Sequence, residues 1–125
     1  MLPARWFSTI LILLAGLATD AGAQITVSGN AVTIGGVDVD VSAADALKAR
    51  EQGIAEAKGR AVKMLIERMV APEDRGKVPP LQPGQLDGMV RGVEFTRENT
   101  TANRYIGTLS VVFAAEPVKQ WLSDR

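Results

Sequence analysis

The sequence contains no cysteine and no histidine. The chain therefore has no disulfide, no thiol nucleophile and no imidazole base, and it lacks the usual ligands of zinc. It also lacks an excess of charge, because 14 Lys and Arg balance 14 Asp and Glu. A neutral chain has no general attraction to nucleic acid or acidic membranes. We therefore predict a protein that is not an enzyme, holds no cofactor or metal ion and binds no nucleic acid.

The N-terminal residues 1–23 have the pattern of a secretory signal peptide. Arg5 gives a charged start, residues 8–18 form a mostly apolar run, and residues 21–23 (Ala-Gly-Ala) have the small-x-small pattern that signal peptidase cleaves. A membrane-spanning helix needs about 20 apolar residues, so an uncleaved anchor is the less favoured alternative. We predict cleavage after residue 23, a single domain at 24–125, no stable membrane span and a periplasmic or secreted location.

The mature region has five predicted elements in the order β-α-β-β-α. Val and Asp alternate with period two in the first strand, and apolar residues recur at helical spacing in the long helix. Ser42 is the predicted N-cap of that helix, with Asp45 three residues later. The elements are residues 31–41, the helix 42–70, the hairpin strands 90–98 and 104–114, and a second helix from Pro117.

This order predicts an α+β fold with two layers. A helix between the first two strands, followed by a tight hairpin, favours a three-stranded sheet in the order 1-3-2 with two helices on one face. The first and second strands are then its edges, and a short lead-in strand at 25–27 stays open. The predicted core brings together Val39, Leu65, Leu109 and Phe113.

Two pairs of glycines interrupt these elements. Gly35 and Gly36 indicate a β-bulge or a close backbone approach within the first strand. Gly53 and Gly59 lie inside the long helix, where each costs about 1 kcal/mol relative to alanine. Close packing of the helix on the sheet and simple tolerance are both open explanations. The apolar stripe of this helix comprises Leu47, Ile54, Ala57, Ala61, Leu65 and Met69.

Three segments resemble a family of secreted bacterial proteins, domain of unknown function 2066. They are the strand ending at residues 37–40 (Val-Asp-Val-Asp), the helical run at residues 49–70, and the late segment from Val90 to Leu122. Members of that family are usually longer, so this chain looks like a truncated version or an N-terminal fragment. The resemblance implies a periplasmic or exported protein without an assigned activity, and it transfers no catalytic residue.

Four carboxylates form the first candidate site. Asp38 and Asp40 project from one strand face, and Glu94 and Glu98 join that face if Val93 and Phe95 point to the core. Such a group could hold a hard cation such as calcium through oxygen ligands. An ordinary solvated face is the simpler interpretation. A periplasmic protein that binds a divalent metal or a small ligand through these residues is the alternative function.

The second candidate site is the short final helix. Val118, Trp121 and Leu122 share one side of it, and a large aromatic residue near a chain end is poorly protected unless something packs on it. We therefore predict that these three residues partly contact a partner. The leading functional prediction is an exported, non-enzymatic binding or assembly module whose partner is a protein or an envelope component.

Overall fold

The computed structural model describes residues 24–82 and 84–124. The predicted signal peptide lies outside the described residues. A proline-rich stretch, residues 71–89, joins the long first helix to the hairpin and contains a 3-10 helix and a five-residue α-helix, so the described chain has more helical segments than the two predicted. The elements are β1 (Gln24–Ser28), β2 (Ala31–Ser42), α1 (Ala46–Met69), the 3-10 helix (Pro72–Lys77), α2 (Gln85–Met89), β3 (Val90–Thr100), β4 (Arg104–Ala114) and α3 (Ala115–Ser123).

The sheet is antiparallel and has four strands in the order β1-β2-β4-β3. The three long strands follow the predicted 1-3-2 order, so the α+β class and that order are confirmed. The predicted number of strands is wrong, because β1 pairs with the first half of β2 through a two-residue turn at Gly29 and Asn30. The prediction that the first long strand is an edge is therefore wrong for that half of β2. Gly29 has a positive φ of 58°, a conformation that glycine adopts without steric cost.

A β-bulge interrupts β2 where the sequence predicts one. The register against β4 shifts between Ile34 and Val37, and Gly36 has a φ of 72°. The shift keeps both flanking apolar side chains on the helix-facing side of the sheet, where both are buried. The bulge prediction for Gly35 and Gly36 is therefore confirmed.

One hydrophobic core lies between the sheet and its helices. Val39, Leu65, Leu109 and Phe113 are all at most 2% exposed and belong to the same cluster, as predicted. The predicted apolar stripe of α1 is wrong at its two ends, because Leu47 is 65% exposed and Met69 is 39% exposed. The buried α1 residues begin with Ala49 and continue through Gly53, Ala57, Ala61, Val62 and Leu65.

The predicted N-cap of α1 is also wrong. Ser42 still belongs to β2, where it pairs with Arg104, and the Ala43 N–H donates to the Asn103 carbonyl at 2.9 Å. The helix begins after Asp45, whose carboxylate accepts from the Lys48 N–H at 2.8 Å. Ser42 thus stays in the strand because it is paired with β4. Asp45, the other residue of the predicted capping motif, caps the helix instead.

The two glycines of α1 have different explanations. A Cβ built on Gly53 would lie 2.6 Å from the Tyr105 ring, whereas one built on Gly59 meets nothing within 4 Å. A Cβ on Gly107 would lie 2.8 Å from the Tyr105 hydroxyl, so the fully buried ring occupies a slot between two glycines. Close packing explains Gly53, and tolerance explains Gly59.

We expect opposite results from alanine at these two positions. Gly53→Ala should destabilise the fold by about 1–3 kcal/mol, because the added methyl overlaps a ring that is held on both sides. Gly59→Ala should stabilise it by up to about 1 kcal/mol, because the position is helical and open. Urea unfolding followed by circular dichroism measures both changes. A stabilising Gly53→Ala would contradict the described slot.

Candidate functional site

Two of the predicted acidic residues lie on the open face of the sheet and are already bonded within the chain. The Thr108 hydroxyl donates to the Asp38 carboxylate at 2.6 Å. Asp40 accepts two hydrogen bonds from Arg104, at 2.8 and 2.6 Å. The Arg104 guanidinium holds the pKa of the Asp40 carboxyl below its usual value. Both carboxylates therefore have partners that a cation would need to displace.

The other two acidic residues lie on opposite faces of the sheet, so the predicted group of four is wrong. Glu94 pairs in register with Ser110 on the open face. A register shift between Phe95 and Arg97 then inserts one extra residue into β3 and turns Glu98 toward the helices. The sequence has no glycine at this bulge. The alternation of apolar and polar residues alone therefore did not indicate it.

Glu98 instead belongs to a cluster that ties β3 to the helical layer. The Tyr105 hydroxyl donates to Glu98 at 2.8 Å, and Arg50 on α1 forms an ion pair with the same oxygen at 3.1 Å. Burial, and secondarily this hydrogen bond, raise the pKa of Tyr105 to about 12. The Arg50 guanidinium also lies 4.6 Å above the ring of Phe95, which was predicted as core and is 40% exposed. Each member has a packing or bonding partner inside the fold.

The predicted partner-contact helix is buried in the chain itself. Val118, Trp121 and Leu122 are 0, 4 and 5% exposed. The indole N–H of Trp121 donates to the Pro79 carbonyl at 2.9 Å, so the proline-rich stretch covers this side of α3. The sequence did not show that the loop folds back over the final helix, and partner contact through these three residues stays a prediction.

A groove of 580 Å³ lies between α1 and the segment that leads into α2. Ile54, Leu81 and Leu86 give it apolar walls and pack partly against the core. Lys58 on α1 forms an ion pair with Asp87 on α2 at 3.2 Å, which links the two walls. The remaining lining residues are Glu51, Ala55, Gln82 and Gly84. The sequence prediction missed this groove, although Leu81 and Leu86 are conspicuous apolar residues in a polar, proline-rich stretch.

Comparison with known proteins gives no assignment. No family model, curated protein or solved structure matches the chain. The resemblance to domain of unknown function 2066 therefore stays a prediction, and the groove is judged on its own geometry.

The described residues hold neither a candidate metal cluster nor a candidate membrane span. No group of three or more Asp or Glu within them is placed to hold a metal ion. In the same part of the chain, no helix is long and apolar enough to cross a bilayer. A smaller cleft of 330 Å³ on the open face includes Asp38, Asp40 and Thr108, whose polar groups are already bonded as described above. The groove has the larger volume of these two cavities, 580 against 330 Å³.

Proposed function

We propose that the chain is an exported, non-enzymatic binding module that holds a segment of a partner protein in the groove between α1 and α2. The observation that carries this proposal is the groove itself. Its 580 Å³ lies within the range of about 300–1,000 Å³ that is usual for ligand sites. Mainly apolar walls with a few polar groups at the rim are also typical of such sites.

The charges around the groove favour a particular kind of segment. Lys58 is bonded to Asp87, and Glu51 adds a second carboxylate at the rim. The lining therefore carries one more negative than positive charge. A peptide that places an apolar side chain between the walls and a Lys or Arg beside it would match both the shape and the charge of the site.

Two features of the sequence support the rest of the proposal. Residues 1–23 have the three-part pattern of a secretory signal, which favours export. The chain has no cysteine or histidine, so the common nucleophile–base pairs cannot be built from it. Binding is therefore favoured over catalysis as the way the chain acts.

Selection from a displayed random peptide library, followed by affinity measurement, tests the groove. We expect selected peptides to combine an apolar residue with Lys or Arg. Ala55→Arg should weaken their binding at least about tenfold, because Ala55 is an exposed helical residue whose replacement fills the groove with a bulky cation.

Gln52→Arg is the matched control for this experiment. Gln52 is exposed on α1, outside the lining, and its replacement adds the same charge to the same helix. Its affinity should stay within about twofold of the parent chain. Peptides that bind Ala55→Arg as tightly as the parent, or a library that yields no binder, would contradict the proposed site.

A further inference from the structure

β1 covers only the first half of β2. It pairs with Ala31–Gly35, whereas β4 pairs with β2 as far as Ser42 on the other side. Among the described residues, no strand pairs with Val37–Ser42 on the side that β1 leaves open. An open strand edge is a template on which another chain can add a strand.

The backbone groups of this half-edge can be placed from the hydrogen bonds around it. The Ala43 N–H points to the β4 side, since it donates to Asn103. Because successive residues of a strand point their backbone groups to opposite sides, those of Asp38, Asp40 and Ser42 point outward. Three outward-facing residues give an added strand its main-chain hydrogen bonds.

Arg60 covers one of these outward-facing backbone groups. It lies on α1, and its Nη1 donates to the outward carbonyl of Asp38 at 2.6 Å. Its Nη2 donates to the Glu56 carboxylate at 2.6 Å, one helical turn back, which holds the guanidinium in place. The guanidinium thus takes the position that the N–H of a neighbouring strand would need.

The acidic side chains of β2 give this edge only limited protection. Charged side chains on an edge strand usually repel a second strand. The charge of Asp40 is offset by the bidentate Arg104, and Asp38 is engaged by Thr108. The backbone contact of Arg60 is therefore the more direct obstacle.

We propose that Arg60 guards the uncovered half of β2 and prevents a second copy of this chain from pairing there. A second copy fits this half-edge because it brings an identical open edge. Two such edges, paired antiparallel, would form one continuous sheet across both copies. Val37, Val39 and Val41 of each copy would then lie on the helix-facing side of that sheet.

Molar mass measured by light scattering over a range of protein concentrations tests this role. The mass of Arg60→Ala should rise with concentration over a range in which that of the parent chain does not change. Lys63→Ala is the matched control, since it removes the same charge from an exposed position of the same helix, and it should behave like the parent. Alanine is the best helix former, so α1 is retained, which circular dichroism verifies.

A second substitution locates the association. Asp40→Pro removes an outward N–H from the half-edge without removing a backbone hydrogen bond to β4, and proline is tolerated at such edge positions. It also removes the side-chain pair with Arg104, so circular dichroism must show that the double variant with Arg60→Ala is folded. Added to Arg60→Ala, it should return the mass to that of the parent. The proposal is overturned if Arg60→Ala shows the parent's dependence of mass on concentration, or if association persists unchanged in the double variant.

Discussion

Replacing Trp121 by alanine should lower the free energy of unfolding by about 3–5 kcal/mol. The side chain is 4% exposed and lies between α3 and the proline-rich stretch. Its removal leaves a cavity that these two segments fill only in part, and it leaves the Pro79 carbonyl without its indole donor. Urea unfolding followed by circular dichroism measures the loss.

Trp121→Phe separates packing from hydrogen bonding at this position. Phenylalanine keeps an apolar ring but has no N–H, so it loses the bond to Pro79 and part of the buried area. The bond itself contributes about 0.5–1.5 kcal/mol, and we expect Trp121→Phe to be distinctly milder than Trp121→Ala. A loss below about 0.5 kcal/mol for Trp121→Ala, typical of a surface substitution, would show that α3 is not seated as described.

Leu65→Ala is expected to cost about 2–5 kcal/mol. Leu65 is fully buried on the side of α1 that faces the sheet, in one cluster with Leu109 and Phe113. A close-packed interior relaxes only partly around a lost isobutyl group, so a cavity term adds to the lost transfer free energy. Urea unfolding measures this change directly when the m-value, the slope of the unfolding free energy against urea concentration, is the same for both chains.

Lys63→Ala gives the reference for that measurement. Lys63 lies two residues earlier in the same helix and is exposed, so its change should remain within about 0.5 kcal/mol of zero. If Leu65→Ala had an equally small effect, the face of α1 that contacts the sheet would have been assigned incorrectly.

The parts of the fold that local pattern determines could be predicted from the sequence. Alternating Val and Asp located β2, two glycines located its bulge, and a tight hairpin placed β4 in the middle of the three long strands. These features depend on residues close together in the chain. The short strand at residues 25–27 stayed open in the sequence analysis, because so few alternating residues give only a weak strand signal.

The parts that depend on distant residues could not be predicted in the same way. The face that Glu98 occupies depends on a bulge in β3, and the start of α1 depends on how far β2 stays paired with β4. The groove and the cover over Trp121 both depend on the path of the proline-rich stretch, and neither proline content nor periodicity determines a path in space. The candidate site was therefore found from the structure.

The pairing of β2 with β4 also governs when the chain can fold. Ala31 lies opposite Ala114 and Ser42 opposite Arg104, so this ladder closes loops of roughly 60 to 80 residues. During synthesis, β2 and α1 emerge well before the strand that completes their common core. Such long-range closure slows folding, because the entropy of the intervening chain is lost before the contacts form. An N-terminal export signal would therefore act on a nascent chain whose sheet has not yet closed.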